Sequence, residues 1–328
     1  MKNLLILSLL ILGCFSGYAQ LPQWNQAKKD RLTKMCEQQL TKVLLVYQNG
    51  KLVFEYGDQK QDYNIFSMRK SMVSLLYGIY ANEGKINLNA NLKKLGIDDF
   101  NKLTEQEKEA TIMDLLKAKS GVYHQAAYET PGMMKNRPKR GSHKPGTHWF
   151  YNNWDFNALT TIFEKTTGKT VFAAFKEKIA DPLKFQDYDI KKQSYIREAG
   201  VSMHEATIWR LSGRDLLKLG INLLNQGKQD NKVVIPVQWI DRSTKVYSEL
   251  GILGGYGLCW WVASRGEHYP FVKFPDRSFS ARGTGEQSLV VVPARNMVIV
   301  HLTEVNSPKD KMMHVVTFGR MLKLVMKP

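Results

Sequence analysis

Ser67 is followed three residues later by Lys70, in Ser67-Met68-Arg69-Lys70, where an extended segment ending in Ile65-Phe66 gives way to an apolar stretch of helical period from Met68 to Ala81. Residues i and i+3 share one helix face, so the Lys70 amine can reach the Ser67 hydroxyl. A serine in a first helical turn also has unpaired backbone N–H groups and the positive end of the helix dipole beside it, which stabilise an alkoxide and a developing oxyanion. Ser67 is the only serine of the chain with a lysine at +3.

A lysine serves as a base only when burial or neighbouring positive charge lowers its pKa, and a tyrosine hydroxyl can relay the proton. A Tyr-x-Asn partner occurs three times, at Tyr47, Tyr80 and Tyr151. Tyr80 sits on the same predicted helix as Ser67, roughly 20 Å along the axis, and Tyr47 belongs to a hairpin turn. Tyr151-Asn152-Asn153 remains, in a loop opened by Pro145-Gly146 and rich in aromatics, with Trp149 expected as a wall of the site. A third element, a strand edge lending an N–H to the oxyanion, fits Arg282-Gly283-Thr284-Gly285-Glu286-Gln287, whose glycines let substrate approach the backbone.

The elements that must hold these residues are legible in outline. Val43–Tyr47 and Leu52–Tyr56 flank Asn49-Gly50, a tight hairpin signal. Later strands are expected at Tyr256–Val262, Gln287–Val292 and Met297–Thr303, and a closing helix from about Lys309 to Met326. Between them the chain reads helical, with starts at Ser67, Thr111, Asp155, Thr170 and Ser212. Terminal strands and central helices imply an α+β fold: a five-stranded antiparallel sheet built from both chain ends, flanked by helices, with an inserted mostly helical lobe. The expected division is a signal peptide over 1–19 and one domain over 20–328, its sheet lobe at 20–66 and 246–328 and its helical lobe at 67–245.

Serine with Lys at +3, then Tyr-x-Asn, then a glycine-bearing strand, within sheet–helices–sheet order, resembles the penicillin-recognising serine hydrolases, most of all the class C β-lactamase branch. Asp114-Leu115-Leu116, Ser120-Gly121, Leu211–Leu216 and Tyr256-Gly257 resemble connecting segments of that family. The resemblance implies a β-lactamase/transpeptidase-like fold and acyl transfer to water without metal or other cofactor. It implies Ser67 as nucleophile, Lys70 as proton acceptor and Tyr151 as proton relay. Asn153 would bond Lys70 or the substrate amide, and the N–H groups of Ser67 and Gln287 would form the oxyanion hole. The third motif departs from the family: Thr284-Gly285-Glu286 stands where members carry Lys-Thr-Gly or His-Gly-Gly, so a cation for a substrate carboxylate is missing and Glu286 brings negative charge. This disfavours β-lactamase or D-Ala-D-Ala carboxypeptidase action. Arg282 and the basic run Lys135–Arg140 are the candidate replacements.

Of 328 residues, 43% are hydrophobic and 23% charged, enough to bury a core and against a disordered chain. The formal charge of +17 favours anionic surroundings such as envelope polymers, lipid headgroups or nucleic acid, and a candidate partner is an anionic envelope polymer. Basic residues are dispersed and no zinc-finger or RNA motif accompanies them, which argues against nucleic acid. Lys2, the apolar run Leu4–Leu12 and Gly17-Tyr18-Ala19 form a secretory signal. Export to the periplasm or exterior is expected, with cleavage after Ala19 or lipid anchoring at Cys14 in Ile11-Leu12-Gly13-Cys14; no later segment is long enough to span a membrane. His143, His148 and His204 match no zinc signature, and Cys36 and Cys259 are expected to be buried thiols. The expected substrate is a small-molecule or peptide-like ester or amide. The alternative is a non-hydrolytic binder of peptidoglycan or another anionic polymer on the same fold.

Overall fold

The computed structural model describes residues 24–305 and 312–327. The expected signal segment and Cys14 lie outside the described residues.

The chain enters through a helix, Gln26–Gln38, capped by the Asn25 side chain, and then the hairpin Thr41–Gln48/Lys51–Gly57. Asn49 and Gly50 both take positive φ, 51° and 82°, as the tight turn between them requires. The first strand pairs on its other side with Met297–Thr303, so both chain ends close one antiparallel sheet. Across that sheet the strands run Lys51–Gly57, Thr41–Gln48, Met297–Thr303, Gln287–Val292, Phe279–Gly283, Trp261–Val262, Gly255–Tyr256 and Ser248–Glu249.

Eight strands therefore stand where five were expected. Phe279–Gly283 carries Ser, Arg and Gly in five residues and shows no strand-like apolar run. The stretch Tyr256–Val262 is two two-residue strands joined by a turn, with Cys259 at φ 63°.

Alternation along the central strands feeds two cores. Leu44, Val46, Val290, Val292 and Ile299 pack under the terminal helices Gln26–Gln38 and Val315–Met326. Val43, Leu45, Leu289, Val291, Val298 and Val300 face the opposite layer, built on the helices Arg69–Asn82 and Gly213–Leu224. The second of these starts at Ser212, whose side chain accepts from the Asp215 N–H, and it lies directly against the sheet although it comes from the middle of the chain. Among the other helices, Asn153–Thr167, Val171–Phe175 and Val237–Ser243 pack against Arg69–Asn82. The closing helix begins at Val315, with His314 as its cap, later than the sequence suggests. Cys36 and Cys259 are buried free thiols.

Candidate active site

The nucleophile candidate sits on a backbone elbow. Ile65 ends an extended segment, its N–H bonded to the Trp209 carbonyl. Phe66 then adopts a left-handed φ of 45°, uncommon for a residue with a side chain, held by its N–H to Asn64 Oδ1 at 2.9 Å and by stacking on Tyr128. A short 3-10 turn over Phe66–Met68 leads into the long helix, so Ser67 precedes its first full turn. Ser67 opens onto a cavity of about 510 Å³.

Lys70 donates to Ser67 Oγ at 2.7 Å. The ammonium lies 4.4 Å from the centre of the Tyr151 ring and 4.8 Å from that of Phe156, and Lys70 is only 3% exposed. Burial holds its pKa well below the ordinary lysine value, and the Arg69 guanidinium next to it adds to the effect. Arg69 is itself buried, bonded to the Thr207 carbonyl and to Asn157 Oδ1, each at 3.0 Å. Sequence reasoning passed over this arginine. The available signal was a pair of adjacent cations inside an otherwise apolar helix.

Tyr151 arrives from the aromatic loop. Burial pushes its phenol up to about 12, with the neighbouring Ser67 hydroxyl and the Arg69 charge pulling the other way. The loop is fixed by a buried polar network that the sequence did not single out. Asn152 caps the helix Asn153–Thr167 and donates to the Val122 carbonyl and to Asp155 Oδ1, which also accepts from Ser120 Oγ at 2.5 Å. Asp155 is fully buried, and its pKa is raised well above the carboxylate range by that burial.

Asn153 is brought close but differently engaged. Its Nδ2 donates to the Tyr128 carbonyl, and its buried Oδ1 has no partner among the described residues. Ser67 Oγ is the acceptor found for Lys70 there.

The third wall is the end of Phe279–Gly283. A Cβ on Gly283 would fall 2.3 Å from the Ile65 carbonyl oxygen and 3.2 Å from Phe66 Cβ, so glycine lets this strand lie against the elbow carrying Ser67. Arg282, Gly283, Thr284 and Glu286 line the cavity with Ser67, Trp149, Tyr151 and Trp261. Gly285 and Gln287 are placed elsewhere. Gln287 pairs with Gly283 across the hairpin, and its side chain bonds the Thr303 carbonyl at 2.6 Å; a Cβ on Gly285 would meet Val305 and Thr303. The edge beside the elbow thus runs two to three residues ahead of the expected Thr284–Gln287.

The basic run is only partly a cavity wall. Asn136 lines the cavity, whereas Arg140 is bonded to Glu107 and Arg137 to Glu129. His204 bonds Thr161, and His143 stacks on His148, apart from the cavity.

A sheet closed by both chain ends, with a serine elbow, a buried lysine, a tyrosine loop and a glycine strand converging on one cavity, defines a β-lactamase/transpeptidase-like hydrolase. The sequence matches the family described as Beta-lactamase over residues 34–315, and the chain belongs to that family. A teichoic acid D-alanine hydrolase of Staphylococcus aureus is 30% identical over 161 residues, 43% of this chain and 38% of that protein; the chain spans well under half the length of this relative. Among solved structures, a penicillin binding protein from Bacillus halodurans superposes with TM-score 0.64 at 14% identity, covering 89% of this chain and 98% of that one. An octameric penicillin-binding protein homologue from Pyrococcus abyssi gives TM-score 0.63 at 17% identity over 90% of this chain and 76% of its own. These structural likenesses concern the fold.

Proposed function

We propose that the protein is an exported serine hydrolase that cleaves an ester or amide through an acyl-enzyme on Ser67. Lys70, whose charge burial and Arg69 disfavour, takes the Ser67 proton as the hydroxyl attacks the carbonyl carbon. Tyr151, kept protonated by its raised pKa, donates to the leaving group and is reprotonated from Lys70; in the second half, water replaces the leaving group and the same pair runs in reverse. The Ser67 N–H supplies one oxyanion donor. The second comes from the backbone at Gly283–Thr284, which the close approach of Gly283 to Ile65 favours over Gln287.

The single observation carrying this reading is the 2.7 Å bond from a buried, charge-disfavoured Lys70 to Ser67 Oγ at the cavity floor. Removal of a D-alanyl group, the reaction in the name of the staphylococcal relative, falls within this class, and the +17 charge suits an anionic polymer as the carrier of such a group. A panel of phenyl esters, amino-acid amides and β-lactams tests the proposal. Turnover of esters or amides that exceeds β-lactam turnover and falls at least about 10³-fold in Ser67→Ala is expected; turnover insensitive to that substitution would refute it.

A further inference from the structure

Besides Tyr151, two ionisable residues line the cavity onto which Ser67 opens, Arg282 and Glu286. Their situations differ. The Arg282 guanidinium is anchored within the protein through two of its nitrogens: Nη2 donates to the His268 carbonyl at 2.6 Å and Nε to Ser280 Oγ at 2.9 Å, and the group lies 3.8 Å from the Tyr269 ring centre and 4.9 Å from that of Trp261. The Glu286 carboxylate has no ion pair or hydrogen-bond donor among the described residues; only its backbone is tied, through the carbonyl to His301 Nδ1 at 2.8 Å. That tie holds the residue at φ 66°, at the tip of the hairpin that borders Ser67.

Trp149, Tyr151 and Trp261 form the aromatic part of the same lining. A carboxylate with no partner among the described residues, in a cavity lined by aromatic rings, is a receptor for a cation: an ammonium gains a charge-assisted hydrogen bond from the acid and attraction from the ring faces. A substrate carboxylate would instead meet like charge from Glu286.

We propose that Glu286 is a specificity-determining residue that holds a protonated amine on the acyl group of the substrate, so the favoured substrates are aminoacyl esters or amides with a free ammonium. This inference rests on the acyl-enzyme reading above. Burial, which raises the Glu286 pKa to about 7 against the pull of Arg282, is a cost that an arriving ammonium relieves.

The test compares phenyl esters of D-alanine, L-alanine and propionic acid, the last the same acyl shape without the amine. Wild-type kcat/KM for an alanyl ester is expected to exceed that for the propionyl ester by about 10- to 100-fold, the value of one charge-assisted bond. In Glu286→Gln the ratio falls to near one, mainly through KM, and Glu286→Asp recovers part of it. Equal wild-type rates, or a preference unchanged in Glu286→Gln of native melting temperature, would overturn the ammonium site and leave the acyl-enzyme reading standing. If no ester is turned over, that reading fails, and calorimetric titration of the Ser67→Ala chain with alaninamide and propionamide still decides the site. Tighter binding of alaninamide supports it, and equal affinity refutes it.

Discussion

At the residue scale, the proposed chemistry depends on removing one charge from water. Lys70 sits in the protein with its pKa well below the value it has in an unfolded chain. The unfolded state therefore binds more protons than the native state between those two values, and this site makes stability rise with pH there. At neutral pH the lysine then costs stability. Lys70→Met is predicted to lower ester turnover by at least about 10³-fold while leaving the melting temperature unchanged or raised by on the order of a few degrees; differential scanning calorimetry beside kinetics checks both. The same depression predicts that kcat/KM rises with pH along an acid limb set by a group titrating well below an ordinary lysine, and that Lys70→Met removes this limb. Tyr151→Phe keeps the ring beside the Lys70 amine and removes the hydroxyl; a loss of about 10²- to 10⁴-fold in kcat is expected from stopped-flow or steady-state rates.

Adjacent cations Arg69 and Lys70 are visible in the sequence, but their burial is not. Arg69 is satisfied by Thr207 and Asn157, which lie 138 and 88 residues away. No local pattern encodes such partners, so the lysine could be picked out by its +3 spacing and the group that tunes it could not.

At the scale of elements, each functional residue is held by a device that costs conformational freedom. Phe66 is left-handed before Ser67, Asn152 caps the helix after Tyr151, and Gly283 gives up a side chain so that two segments can touch. Asn152→Ala removes the cap and strands the Val122 carbonyl. We expect destabilisation of about 1–3 kcal/mol by urea titration, with a fall in activity larger than the fraction unfolded can explain, because the Tyr151 loop loses its anchor. The Asn49-Gly50 hairpin and the caps at Thr111, Thr170 and Ser212 were legible because turn and cap chemistry is local. The strand Phe279–Gly283 was not: its inward residues are Phe279, Ala281 and Gly283, and pairing on both sides at Phe279 and Ser280 defines it more than its composition does. For the same reason the stretch 282–287 was recognised as the third wall while its register against Ser67 was set only by tertiary contact.

At the scale of the whole molecule, the +17 charge is a property of the surface, since Lys70 and Arg69 are among the few buried cations. Two members of the basic run, Arg137 and Arg140, are held in ion pairs with Glu129 and Glu107, and burial opposes a Glu107 pKa that His124 and Arg140 hold down at about 2. The field available to a polymer therefore comes from the dispersed exposed lysines. Under the proposal of an anionic polymer as carrier, its association with the protein is predicted to weaken steeply between about 50 and 200 mM salt, as exposed charge pairs are screened, while hydrolysis of a small neutral ester changes little. Salt-independent binding would place recognition in the cavity alone.

The most direct test of the account is the site of covalent capture. Intact-mass and peptide-mass analysis after exposure to a fluorophosphonate should show one adduct per chain, on the peptide containing Ser67, formed faster as pH rises through the Lys70 titration and absent from Ser67→Ala. A folded chain that takes no label, or an adduct that persists in Ser67→Ala, would contradict the claim that Lys70 activates Ser67.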